Sequence, residues 1–237
     1  MLALKPVYST DHFVTCGTVE RPWSTGHWVG SGIAELGASG HITDAGLAAY
    51  LPTLRPYIKS PVIAYDLVCA TPASVTALWA LSQRQHVREV LERGSAGAAI
   101  RALDYLERNA AATPRGPSGI RTLDIRGGLI GVRFQHGQAR EGVTDLHDHV
   151  VILNLVKGTD GRWGVLDGNA LHAYMEAASE HHTGRLIDII EQTSRLRFVQ
   201  RSDPAGRGLR WELKSVKERD LTPFRAAGSV REQAVTR

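Results

Sequence analysis

The residues best suited to chemistry lie in one stretch, Asp145-Leu146-His147-Asp148-His149-Val150-Val151-Ile152-Leu153-Asn154. On a strand, side chains at i and i+2 share a face, so His147 and His149 project side by side. His136 closes the preceding strand-like run, and ten residues separate it from His147. A connection of that length lets the two runs pair antiparallel and brings a third imidazole to the other two. Three imidazoles converging from adjacent strands hold one divalent ion and leave coordination positions open. The same spacing also suits polar positions at a half-buried sheet end, and spacing alone leaves both readings open.

Asp66 is the second unusual residue. It interrupts the apolar run Pro61-Val62-Ile63-Ala64-Tyr65-Asp66-Leu67-Val68-Cys69-Ala70, where a carboxylate is costly unless it is paired or hydrogen-bonded. Two roles fit it: orienting a metal-ligating histidine or accepting a proton from a nucleophile. A plain strand-end carboxylate reaching solvent fits as well.

These residues need a sheet beneath them. Residues 1–7 read as a strand halted by Pro6, and residues 8–40 as an irregular, glycine-rich segment. Thr43 caps a helix running to Leu51, which Pro52 ends. Residues 61–70 form a strand, and Thr71-Pro72 supplies a cap and first-turn proline for a helix over 72–83. The longest helical pattern spans 86–111, loosened by Gly94 and Gly97. A loop at 113–119 precedes strands at 121–126, 128–136 and 146–156. A turn at 158–161, a strand at 162–166, a helix at 168–192 and a hairpin of 195–200 with 209–214 complete the pattern. The order predicts an α+β fold, a central antiparallel sheet flanked by helices.

The spacing His136-x10-His147-x-His149, with Asn154 downstream, resembles the metal motif of MobF-type conjugative relaxases, the TrwC/TraI group of HUH endonucleases. Tyr65-Asp66-Leu67-Val68-Cys69-Ala70-Thr71-Pro72-Ala73-Ser74-Val75 is similar to that family's strand-to-helix segment. Trp28-Val29-Gly30-Ser31-Gly32 with Leu36-Gly37-Ala38-Ser39-Gly40 resembles its Trp-x-Gly-x-Gly region. Asp160-Gly161-Arg162-Trp163 with Leu166-Asp167-Gly168, and the helix over 100–110, follow in the family's order. The similarity is collinear over residues 1–215, taken as one palm-like relaxase domain, with 216–237 as a polar, loosely held tail.

The resemblance implies metal-dependent, tyrosine-mediated nicking and rejoining of single-stranded DNA in plasmid or mobile-element mobilisation. It makes His136, His147 and His149 ligands of a divalent ion, magnesium or manganese, with zinc or nickel as alternatives. Asp66 becomes the assisting carboxylate, and the partners are single-stranded DNA and mobilisation accessory proteins. The family's nucleophiles are tyrosine pairs in the N-terminal region, where this chain carries only Tyr8. Tyr8 is therefore the nucleophile the resemblance assigns, and His12-Phe13 stands where a tyrosine pair is expected. The family's lysine after the proline is Ala73 here, and Asp148 between the paired histidines faces away from them. The other reading is a degenerate domain that binds metal and single-stranded DNA without cutting. A hydrolase using activated water is the third. No helicase segment follows, so either a stand-alone mobilisation or replication-initiation nickase, or a relic that kept the metal site without the nucleophile, is expected.

Composition agrees with a globular nucleic-acid enzyme but does not single one out. Lys and Arg (28) exceed Asp and Glu (24), giving a net charge of +4 and a pI near 9.3. Cys16 and Cys69 form neither a metal spacing nor a disulfide framework, and no apolar stretch resembles a leader or a membrane span. A cytoplasmic protein without membrane contact is expected. Arg133, Arg140, Lys157 and Arg162 are either phosphate contacts or ordinary surface charge. Trp28 and Trp163 read as core side chains or base-stacking platforms, and His181-His182 as exposed surface.

Overall fold

A computed structural model describes residues 2–10, 25–138, 144–203, 206 and 208–224. His12, Phe13, Cys16 and Arg140, all singled out above, lie outside the described residues. In chain order the elements begin with β1 (Leu2–Val7), β2 (Gly26–Val29), a 3-10 turn (Ser31–Leu36), β3 (His41–Ile42), α1 (Asp44–Tyr50) and β4 (Ala64–Ala70). Then come α2 (Ala73–Leu81), α3 (Gln85–Asn109), β5 (Ala112–Arg115), β6 (Arg121–Arg126), β7 (Gly131–Gln138) and β8 (Thr144–Leu153). The last are β9 (Val156–Gly158), β10 (Trp163–Gly164), α4 (Gly168–Ala173), α5 (Met175–Thr193), β11 (Phe198–Ser202) and β12 (Leu209–Leu213).

The main sheet has the order β1-β4-β8-β7-β2-β3, and every neighbouring pair is antiparallel. The fold is thus the α+β, antiparallel-sheet architecture that the sequence predicts. One face, carrying Leu67, Cys69, Val150 and Ile152, packs on Ala99, Ala102, Leu103 and Leu106 of α3 and Ala178 of α5. The other, carrying Ala64, Val132, Phe134, Val151 and Leu153, packs on Leu47 of α1 and on Leu51, Leu54 and Ile58 beyond it. Burial on both faces explains why Val150 to Leu153 is uninterrupted apolar sequence rather than an alternation.

Several expectations need correction. Pro6 does not halt β1, which continues to Val7; the strand lies at the sheet edge, where a residue without an N–H costs no ladder bond. Thr43 caps α1 as expected, accepting from the Gly46 N–H at 3.0 Å. Thr71 does not cap α2: its hydroxyl donates to the Leu146 carbonyl at 2.8 Å, and Pro72 occupies the cap position. The segment read as a loop at 113–119 is partly strand, because β5 pairs with β6. Within the stretch read as irregular, β2 forms and pairs with β7 and with β3 just beyond the stretch. Gly94 and Gly97 do not loosen α3; a Cβ at Gly97 would lie 2.4 Å from Ile189 Cδ1, so their bareness lets α5 pack closely. The polar tail is not loose at its start, since Leu221 is fully buried and Val216 packs beneath the β11–β12 hairpin.

The Trp28-Val29-Gly30-Ser31-Gly32 segment has a physical rationale. Gly30 has φ +95°, and a Cβ there would sit 2.3 Å from the Leu129 carbonyl oxygen. Glu107 of α3 ties this turn to the start of β7, accepting from the Ser31 N–H at 3.0 Å and the Leu129 N–H at 2.8 Å.

Candidate metal centre

Strand register places the three histidines on one face. His136 of β7 stands directly opposite His147 of β8, and His149 stands between Phe134 and Val68 of β4. A register irregularity between His136 and Gln138 ends the regular pairing beside the site, a common place for a bulge. One nitrogen from each imidazole lies within 4.8 Å of the other two. Asp66 shares this face, two residues along β4 from the position opposite His149.

Their partners fix the tautomers. His149 Nδ1 lies 2.8 and 2.9 Å from the two carboxylate oxygens of Asp66, so it donates its proton there. His147 Nδ1 lies 3.0 Å from the Asp145 carbonyl oxygen and donates likewise. Both Nε2 atoms then carry lone pairs, yet they stand only 3.1 Å apart. Two acceptors at that distance repel unless a cation lies between them. Tetrahedral zinc with bonds of about 2.0–2.1 Å would set its nitrogens on the order of 3.3 Å apart, so the observed spacing fits an ion. The tautomer-fixing carboxylate and carbonyl are the usual outer partners of metal-bound histidine.

The local electrostatics favour neutral rings at His136 and His147. Burial, reinforced by His149, lowers the His136 pKa to about 3 against the opposing pull of Asp66. Burial also holds His147 well below the usual imidazole range. Uncharged rings present lone pairs at neutral pH without first losing protons.

Behind the histidines is a polar clamp that sequence reasoning missed. Asp148 points to the opposite face, where it accepts from the Ser95 hydroxyl of α3 and pairs with Arg133 of β7. Burial raises the Asp148 pKa, opposed by Arg133 and by the Ser95 bond. Gln135 Nε2 adds a bond to the Glu92 carbonyl of α3 at 2.9 Å. The clamp fixes the strand segment 147–149 against α3. Arg133 is consequently neither a phosphate contact nor a surface charge. The alternation of His147, Asp148 and His149 signalled an inward carboxylate, but its partner Ser95 lies too far along the chain to read.

Of the site residues expected from sequence, the structure gathers His136, His147, His149 and Asp66. It does not bring Tyr8 to them. Tyr8 lies just beyond β1, 58% exposed, on the side of Tyr65 and of the face covered by α3 and α5. Strand alternation continued past Val7 sends its side chain to the opposite side of the sheet from the histidines.

The smaller signals resolve locally. Lys157 pairs with Glu35 at 2.8 Å and lies over the Trp163 ring, and Trp28 meets Tyr50 edge-on at 5.9 Å. His182 is not surface; it is fully buried, one turn from Ala178 and Leu186. Among the described residues no helix is long and apolar enough to cross a membrane.

The family model described as TrwC relaxase matches residues 19–237. No curated protein sequence matches significantly. Among solved structures, the conjugative relaxase TrwC in complex with OriT DNA, metal-free, superimposes with a TM-score of 0.75 at 22% identity, covering 95% of this chain and 79% of that one. A metal-bound TrwC–OriT DNA structure gives 0.73 at 21% identity, with 95% and 80% covered. TrwC complexed with a 27-mer DNA comprising the recognition hairpin and the cleavage site gives 0.76 at 19%, with 100% and 83% covered.

Proposed function

The chain belongs to the TrwC relaxase family, and from that premise we propose that it nicks and rejoins single-stranded DNA on the histidine face of its main sheet. The observation that carries this reading is the convergence of His136, His147 and His149, with Asp66 fixing the His149 ring. A divalent ion in that cage would act as a Lewis acid on a phosphoryl oxygen and neutralise charge as a phosphodiester is attacked. Magnesium or manganese is proposed as the working ion, with zinc and nickel the more tightly held competitors for an all-imidazole donor set. Residues 1–215 form the proposed relaxase unit and 216–237 its tail, and cytoplasmic plasmid or mobile-element mobilisation, with accessory proteins, is the proposed setting.

The chain's own groups have separable tasks. Asp66 and the Asp145 carbonyl hold two rings in the tautomer that presents Nε2, and Asp148 with Ser95 and Arg133 keeps the strand from shifting. Tyr8 is the proposed nucleophile: its oxygen bonds to phosphorus, the 3′-oxygen leaves with a proton, and the 5′-phosphate stays esterified to the tyrosine. Attack requires the oxygen within roughly 3–3.5 Å of phosphorus, in line with the leaving group. From its present position Tyr8 reaches that point only if the chain after β1 rearranges around DNA.

The position of Tyr8 also favours a second reading, a domain that holds metal and single-stranded DNA without cutting. One experiment separates the two. The protein is incubated with Mn²⁺ and a randomised library of single-stranded oligonucleotides, and covalent protein–DNA adducts are sought. Adducts that vanish in Tyr8→Phe establish the nickase. Adducts that persist in Tyr8→Phe place the nucleophile elsewhere. Binding of strands and metal without cleavage by either protein establishes the binding domain.

A further inference from the structure

The six strands of the main sheet carry only two Lys or Arg side chains, Lys5 on β1 and Arg133 on β7. Arg133 points to the α3 side and is consumed by Asp148. Lys5 is different. It stands directly opposite Asp66 in the β1–β4 register, and directly paired residues share a face, so Lys5 projects from the face that bears the histidines. Asp66 accepts from His149 Nδ1, at 2.8 and 2.9 Å from its two oxygens, and among the described residues Lys5 makes no ion pair. Its flanking partners on this face, Ala3 and Val7, are apolar, so among the described strand residues Lys5 is the one Lys or Arg side chain projecting from the histidine face of the sheet.

Resting on the relaxase reading above, we infer that Lys5 is a DNA-binding residue that contacts the backbone phosphate neighbouring the one at the metal centre. Geometry selects the neighbouring phosphate over the reacting one. Lys5 lies two strands from His149 and two residues offset along them, about 10 Å across and about 7 Å along at ordinary sheet spacings. The lysine stem spans only part of that diagonal, so its ammonium falls short of the point where the three imidazoles converge. A single strand laid across β8, β4 and β1 would pass from the histidines to Lys5 within about one nucleotide step. Asp66 between them, already bonded to His149, keeps the strand from settling on β4 itself. A lysine suits this task because it acts as a point charge and follows a flexible strand, whereas bidentate geometry is not required.

The test compares the parent with Lys5→Gln and Lys5→Arg. Binding of a randomised single-stranded oligonucleotide is followed by fluorescence anisotropy across a salt series, and the metal-induced rise in melting temperature is read in parallel. Lys5→Gln is expected to weaken binding several-fold at low salt and to reduce the slope of log K against log salt by about 0.7, the value for one phosphate on a single strand. Lys5→Arg is expected to retain slope and affinity, and all three proteins to show the same metal response. An unchanged slope in Lys5→Gln overturns the inference while leaving the relaxase reading intact. Loss of the metal response in Lys5→Gln also overturns it, because Lys5 would then act through the histidine cage. A parent that binds no single strand removes the relaxase reading and this inference together.

Discussion

Asp66→Asn is the substitution whose consequence the metal centre makes most explicit. The side chain keeps its shape and one acceptor oxygen, so His149 can still donate from Nδ1, but the charge that enforces this tautomer is gone. The new amide also offers a donor to the same nitrogen, which favours the ring flip or tautomer that withdraws Nε2 from the cage. Loss of such an outer partner weakens metal binding by about 10–100-fold. At a metal concentration of 100 times the parent dissociation constant, bound metal stabilises the parent by about 2.7 kcal/mol. The same mass-action relation gives about 1.4 kcal/mol for a tenfold weaker site and about 0.4 kcal/mol for a hundredfold weaker one. For a chain of this size each kcal/mol moves the melting point by about 2–4 °C. The parent should therefore gain about 5–11 °C, and Asp66→Asn from about 1 to about 6 °C. Differential scanning fluorimetry with Mn²⁺ and with Zn²⁺, each variant against its metal-free form, reads this directly. Equal metal shifts in the two proteins would refute the role assigned to Asp66.

Three further outcomes follow from the packing. His182 is buried with both ring nitrogens lacking a hydrogen-bond partner among the described residues, and burial lowers its pKa to about 3. Its folded pKa lies below the unfolded value near 6.5, so its contribution is fully present above that pH and is lost as pH falls toward 3. At about 1.36 kcal/mol per unit this costs about 2 kcal/mol by pH 5, and His182→Leu should lose that share of the denaturation slope below pH 6.5; an identical slope would contradict it. Asp148→Ala strands the mostly buried Arg133 charge and should cost about 3–5 kcal/mol in urea unfolding, with Ser95→Ala costing only about 1 kcal/mol. Equal costs would mean that the clamp is not ionic. Gly30→Ala should destabilise by at least about 2 kcal/mol, because its Cβ meets the Leu129 carbonyl at a positive φ, whereas Gly40→Ala, with open space at its φ of +73°, should cost about 1 kcal/mol. Matching melting points for the two variants would show that the turn adapts.

The parts legible in the sequence were those written in a local period. A strand repeats every two residues, so His147 and His149 announced a shared face, and ten intervening residues sufficed to return β7 beside β8 with His136 in register. Asp66 was legible as a carboxylate that a central strand would not tolerate without a partner. Pairings set by tertiary docking were not. Nothing near Asp148 in the chain names Ser95, and nothing in residues 113–119 shows that β5 finds β6 rather than remaining a loop. His182 was misread although its period was visible: it falls in the stripe Ala178, His182, Leu186 and Ile190, which faces inward, while His181 one residue away stacks on Tyr105 at the surface. Tyr8 was assigned by family resemblance alone, and strand alternation already pointed it away from the histidines.

The central claim is that the three imidazoles form one metal site at the face where DNA is handled. Anomalous scattering from crystals grown with Mn²⁺ and a single-stranded oligonucleotide, measured above and below the manganese edge, tests it most directly. The account requires one strong peak within about 2.3 Å of nitrogens from His136, His147 and His149, with density for a DNA phosphate at an open position and the peak lost in His147→Ala. A peak elsewhere, or a peak that survives in His147→Ala, would contradict it.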